Sequence, residues 1–224
     1  MSFTLEKALW YGAGFFAIRR IVRSVVGPNP FVTKVALFPT TFDPVFRGCP
    51  LPNPYLRALA KHESDFNASE NTGCCIGLLQ VHDVVRQDFN RRNGTALDRA
   101  QLLDPTVNVL VACDHLMTIG RALARNHPAF VRRDSSGGID FTDRTSVGIF
   151  TLAWNAGHSE GSGMGRALTV LESQGFRAQD LLTTLDRIRI VAQQNASVSD
   201  FLADPNKHGF AQRVTRDFFR QLGL

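Results

Sequence analysis

Glu63 is followed by a polar, glycine-broken stretch, Ser64-Asp65-Phe66-Asn67-Ala68-Ser69-Glu70-Asn71-Thr72-Gly73-Cys74-Cys75-Ile76, and then by Gly77-Leu78-Leu79-Gln80. Leu56, Leu59, Ala60 and Glu63 recur at helical spacing, so the carboxylate closes the apolar side of a helix. Burial there disfavours the charged form and raises the pKa. A glutamic acid tuned upward is protonated near neutral pH and can give its proton to a leaving oxygen. The pattern suits a general acid facing a groove. Taken alone, it also suits a structural glutamate at the edge of the face or capping the next loop. Two more carboxylates lie close in sequence. Asp65 falls about 200° around the helix from Glu63 and is expected to face away. Asp83, three residues past Gln80, is the candidate second carboxylate.

The elements that must position these groups are mostly helices. Pro54 opens a helix over about 54–65, since its missing N–H is unpaired there anyway. Gly77-Leu78-Leu79-Gln80 is expected to open a second helix, running to about 91 and stopped by Asn93-Gly94. Asp104 as cap and Pro105 at the first position start a third, to about 125. Its apolar face uses Val109, Leu110, Ala112, Cys113, Leu116 and Ile119. Residues 126–143 contain Ser135-Ser136-Gly137-Gly138 and read as a loop or small hairpin. A fourth helix, about 144–156, carries Val147, Phe150, Ala153 and Trp154 and stops at Gly157. Two or three helices cover 165–203, and a last amphipathic one spans about 208–222. The expected fold is mainly α, a helical domain with at most a small hairpin or sheet.

Three separated pieces then fall in order: Glu63-Ser64 with Ser69, Gly73 and Gly77-Leu78-Leu79-Gln80; Asp104-Pro105-Thr106-Val107-Asn108 with His115-Leu116; and Ala153-Trp154-Asn155-Ala156-Gly157. Together they resemble the soluble lytic transglycosylase family, in the goose-type branch of the lysozyme-like superfamily. The resemblance covers about residues 54–160. Trp154 stands where tyrosine is usual in that family, Leu79 where methionine is common, and the loop before Gly77 carries adjacent cysteines. The resemblance implies an α+β lysozyme-like fold and a peptidoglycan substrate, cut between N-acetylmuramic acid and N-acetylglucosamine. It implies that Glu63 protonates the glycosidic oxygen, then takes the proton of the muramic C6 hydroxyl as that oxygen closes a 1,6-anhydro ring. No second carboxylate, metal or cofactor is needed. Ser69, Gln80, Trp154 and Asn155 are the implied substrate-binding residues, against plainer readings as loop cap, surface amide, core aromatic and helix cap. Goose-type lysozymes, which hydrolyse the same bond, carry an aspartate just after the same glutamine motif. Asp83 keeps that hydrolase alternative open, one position further on than expected, past His82.

The 224-residue chain is 44% hydrophobic and 20% charged, a globular composition. Its net charge of +5 suits an anionic partner. Cell-wall polymer, nucleic acid and anionic membrane all qualify, but no zinc-finger, Walker or RNA-binding signature is present, so no nucleic-acid partner is expected. Cys49, Cys74, Cys75 and Cys113 lack zinc spacing. They are expected as free, mostly buried thiols, with a bridge from Cys74 or Cys75 to Cys49 or Cys113 as the alternative; neighbouring cysteines rarely bond each other. His62, His82 and His115 read as structural, and His158 as a groove-rim residue. Three regions are expected: an apolar and basic segment at 1–26, a proline-rich arm at 27–53, and the lysozyme-like domain at 54–224. The uncharged run Ala8–Ile18, 11 residues, is too short to span a bilayer. Residues 5–26 are read as a helix that docks on a protein partner or lies in a membrane interface. Without a cleaved-signal pattern at the start, the expected setting is a phage virion acting in the host periplasm, or else a bacterial inner membrane. A non-catalytic, peptidoglycan-binding virion module is the alternative of another class; Glu63, Gln80 and Asn155 argue against it.

Overall fold

A computed structural model describes residues 37–224 of the chain, which form one unit; the expected docking segment at 1–26 and residues 27–36 of the arm lie outside them. Its helices are α1 Asp43–Phe46, α2 Asn53–Ser64, α3 Asp83–Asn93, α4 Pro105–Asn126, α5 Arg144–Ala156, α6 Met164–Ser173, α7 Leu181–Gln194 and α8 Pro205–Leu222. Two short strands, β1 Cys75–Ile76 and β2 Val81–His82, pair antiparallel with Cys75 opposite His82 and Ile76 opposite Val81. The fold is mainly α, with the expected small sheet.

Aspartate–proline pairs set two helix starts. Asp104 accepts the Thr106 N–H ahead of Pro105, and Asp204 accepts the Asn206 N–H ahead of Pro205. The aspartate satisfies an otherwise unpaired donor, and the proline supplies a preset φ. The second pair makes α8 begin three residues before the expected 208. Helix α8 lies along α5 and α2, and this three-helix contact holds the centre of the core. Tyr55 sits there at 0% exposure, with ring centroids 5.1 Å from Phe141, 5.5 Å from Phe150 and 5.9 Å from Phe218. Tilted and edge-on aromatic pairs of this kind contribute about 0.5–1.5 kcal/mol each beyond their buried area. The buried Tyr55 hydroxyl meets Thr151 Oγ1 at 3.2 Å. The α2–α5 junction is thereby fixed, and it carries Glu63 at one helix end and Trp154 at the other.

Two expectations are corrected. Gly77–Gln80 does not open a helix. Gly77 at φ +81° and Gln80 at φ +46° are left-handed, so these residues form a tight turn into β2. Helix α3 starts only at Asp83, where His82 Nδ1 accepts the Val84 N–H at 3.2 Å. The cysteines are not all free either: Cys49 and Cys113 form a disulfide with Cα atoms 5.8 Å apart. The described part of the arm is folded across α4, burying Phe46, Cys49 and Leu51. Cys74 is exposed and Cys75 half-buried.

Candidate active site

The carboxylate is placed by an abrupt helix end. Asp65 (φ 52°) and Phe66 (φ 63°) are left-handed, so the chain leaves α2 immediately after Glu63-Ser64. Ser64 Oγ donates to Leu78 O at 2.8 Å and ties that end to the turn carrying Gln80. Glu63 is half-buried on the last turn of α2, continuing the face of the fully buried Leu56, Leu59 and Ala60. Asp65 points to solvent and pairs with Lys61.

Trp154 Nε1–H donates to Glu63 Oε1 at 2.6 Å. The Glu63 carboxyl is pushed up from its ordinary 4.5 to about 7. Burial is the largest cause; the indole N–H and the Lys207 ammonium on α8 pull the other way. The result is an acid that is protonated in a large fraction at neutral pH, with a donor already aimed at the charge it acquires on losing its proton. Trp154 thus delivers a hydrogen-bond donor to the carboxylate.

The turn facing Glu63 is pinned from behind by Asn108, which is wholly buried. Its Nδ2 donates to Ile76 O at 2.8 Å and Leu102 O at 3.0 Å, and its Oδ1 accepts the Leu79 N–H at 2.8 Å. Gly77 is required in this cradle: its φ is left-handed, and a Cβ there would collide with Asn108 Nδ2 and Leu102 O. Gln80 is buried, and its amide is spent inside the loop. Nε2 donates to Gly77 O at 2.9 Å, and Oε1 accepts from Thr72 Oγ1 at 3.0 Å.

The remaining expected residues divide. Asn155 sits beside Trp154, and its Oδ1 is buried without a hydrogen-bond partner among the described residues. Ser69 is exposed, its backbone N–H donating to Asn67 Oδ1 at 3.0 Å. Asp83 accepts from Arg86 Nε and Gln87 Nε2, both at 2.7 Å. The Arg86 bond holds its carboxyl below the ordinary carboxylate range. Asp83 is committed to the first turn of its own helix.

Reading the sequence gave Asn108 and Lys207 no role at the site. Asn108 stands inside the Asp104-Pro105 motif, and that was the available signal. No local pattern marks Lys207, which a tertiary crossing brings to Glu63. His115, read as structural, packs its ring 5.8 Å from that of Trp154 and 5.2 Å from that of His158. Burial, with His158 and Arg92 nearby, pushes the His115 pKa down to about 4, so this ring is neutral beside the indole.

No family model matches the chain, and no curated protein matches it in sequence. The fold is similar to that of the 70 kDa soluble lytic transglycosylase SLT70 from Escherichia coli, with a TM-score of 0.53 and 19% identity over 82% of this chain. A complex of the 70-kDa soluble lytic transglycosylase with bulgecin A gives a TM-score of 0.53 and 18% identity, again over 82% of this chain. The match covers 24% of each of those chains, so this chain spans about a quarter of their length. At this identity the likeness establishes the fold, a mainly helical lysozyme-like domain.

Proposed function

We propose that the protein is a peptidoglycan lytic transglycosylase, cleaving the β-1,4 bond between N-acetylmuramic acid and N-acetylglucosamine and leaving a 1,6-anhydro end. The observation that carries this reading is Glu63 itself, an acid near pH 7 gripped by the Trp154 N–H at 2.6 Å. The protonated carboxyl donates to the glycosidic oxygen as an oxocarbenium-like centre develops. The indole N–H stabilises the carboxylate that results. That carboxylate then takes the C6 hydroxyl proton while the hydroxyl oxygen closes on the anomeric carbon. One group serves as acid and base in turn, and no water is consumed. The engagement of Asp83 with Arg86 and Gln87 favours this single-carboxylate course over the hydrolase alternative, which needs a second carboxylate to activate water. Asn155, next to Trp154, is the residue we assign to substrate binding beside the acid.

The Cys49–Cys113 disulfide supports an extracytoplasmic site of action. Local wall opening by a phage particle during genome delivery is the setting we propose, with residues 5–26 as the docking segment. Product analysis on purified peptidoglycan tests the reaction. The wild type should release muropeptides lighter by one water than those ending in a reducing sugar, D83N should do the same, and E63Q should release none while keeping its helical circular dichroism. Products ending only in reducing sugars would assign the chain to the hydrolases; full activity in E63Q would remove Glu63 from the mechanism.

A further inference from the structure

The adjacent cysteines of the Glu63 loop take no part in that mechanism, yet Cys75 lies within electrostatic reach of Glu63 and Cys74 beside it is exposed. Cys74 Sγ and Cys75 Sγ lie 2.7 Å apart. Cys74 is exposed, and Thr72 Oγ1 sits 3.6 Å from its sulfur. The Cys49–Cys113 disulfide in the same unit shows a thiol pair of this chain in oxidised form, so an exposed pair meets the same conditions.

We propose that Cys74 and Cys75 form a reversible thiol-oxidation site, closed by exchange with a small-molecule or protein disulfide. The Cys74 thiolate attacks one sulfur of the oxidant disulfide, forming a mixed disulfide and expelling one thiolate. Cys75, on losing its proton to solvent, attacks the Cys74 sulfur, closes the Cys74–Cys75 bond and expels the second thiolate. Two thiols are oxidised by two electrons in all, and one disulfide is reduced to two thiols.

The surroundings order these roles. The hydrogen bond with Cys75 holds the Cys74 thiol below its ordinary value. Cys75 is pushed up to about 12, first by burial and then by its bond to Cys74 and the charge there. The mixed disulfide removes that charge and frees Cys75 to react as the second nucleophile. The Glu63 carboxylate opposes the Cys75 thiolate, and Lys207 favours it. Adjacent Cα atoms are about 3.8 Å apart across a trans peptide, short of the usual 4.4–6.8 Å disulfide span. The closed ring is therefore strained and readily reduced, as a switch requires.

Closure also reshapes the loop. The Thr72 N–H donates to Cys75 O at 3.1 Å, and Thr72 Oγ1 donates to Gln80 Oε1 at 3.0 Å, so the ring draws on the contacts that hold Gln80. The test is exposure of the full-length protein to graded ratios of reduced and oxidised glutathione, followed by mass analysis and peptide mapping. The peptide containing Cys74 and Cys75 should lose the mass of two hydrogens, and mild dithiothreitol should restore them while the buried Cys49–Cys113 bond persists. C75S should stop at a glutathione adduct on Cys74, and C74S should gain neither adduct nor bond. Hydrogen exchange at the Thr72 amide should be faster in the oxidised wild type. Two thiols that remain fully alkylatable under oxidising ratios, or a stable adduct on wild-type Cys74, would overturn the proposal. An unchanged Thr72 amide would overturn its structural consequence. None of these readouts depends on glycan cleavage, so they stand or fall apart from the proposed enzyme activity.

Discussion

Raising a carboxyl from 4.5 to about 7 leaves a thermodynamic mark on the folded protein that needs no substrate. The folded state holds the Glu63 proton more tightly than the unfolded chain does. Stability from this group is complete below pH 4.5 and is lost as pH rises through about 7. At about 1.36 kcal/mol for each pH unit, that interval corresponds to about 3 kcal/mol. The Glu63→Gln side chain keeps an oxygen for the Trp154 N–H but cannot ionise, so the variant lacks this loss. Urea unfolding of both proteins at pH 4.5, 6, 7 and 8, with the Cys49–Cys113 bond intact, measures the difference. The variant should gain about 3 kcal/mol on the wild type between the lowest and highest of these pH values. Most of the gain should fall below pH 7. Subtracting one protein from the other cancels groups common to both, including His115, whose pKa burial pushes down. A stability difference that stays constant across the range would refute the burial argument. A difference that shrinks with rising pH would reverse its sign.

Trp154→Phe removes the N–H that pulls Glu63 down; a hydrogen bond to a charged group contributes about 1.5–3 kcal/mol, so the basic limb of the pH–activity profile should move up by about one to two pH units. A basic limb that stays put or moves down would contradict the role given to the indole. Asn108→Ala leaves the Leu79 N–H and the Ile76 and Leu102 carbonyls unpaired, and should lower stability by about 3 kcal/mol in urea melts. Gly77→Ala, which forces a left-handed alanine into the same cradle, should lose at least about 1–3 kcal/mol in the same assay. The Cys49→Ser, Cys113→Ser double variant releases a loop of 64 residues and should lose about 4 kcal/mol on the chain-entropy estimate; no measurable loss would mean that the arm is held by packing alone.

The periodicity of Leu56, Leu59, Ala60 and Glu63 read correctly because a helix repeats every 3.6 residues, and one face of α2 is buried against the core. The Asp104-Pro105 start read correctly because capping is local chemistry, whereas the equivalent Asp204-Pro205 start was passed over and α8 begins three residues earlier than expected. The Gly77–Gln80 turn did not, although every residue in it had been noticed. Helix propensity was overridden by a side chain 28 residues beyond Gln80, Asn108, which takes the loop's backbone groups for itself. The disulfide was hidden for a similar reason, since Cys49 meets Cys113 only after the arm has crossed α4.

The sequence by itself determined that one carboxylate would end a buried helical face, in a mainly helical domain, with motif pieces ordered so as to converge on it. It did so because period, capping and turn chemistry act over a few residues. Tertiary structure decided what that carboxylate became. Burial raised it to about 7, and the indole of Trp154, 91 residues away, supplied the N–H that steadies its charge. The same packing brought Lys207 and Cys75 within electrostatic reach of Glu63. Desolvation and charge proximity depend on distance in space, and only the folded chain fixes those distances.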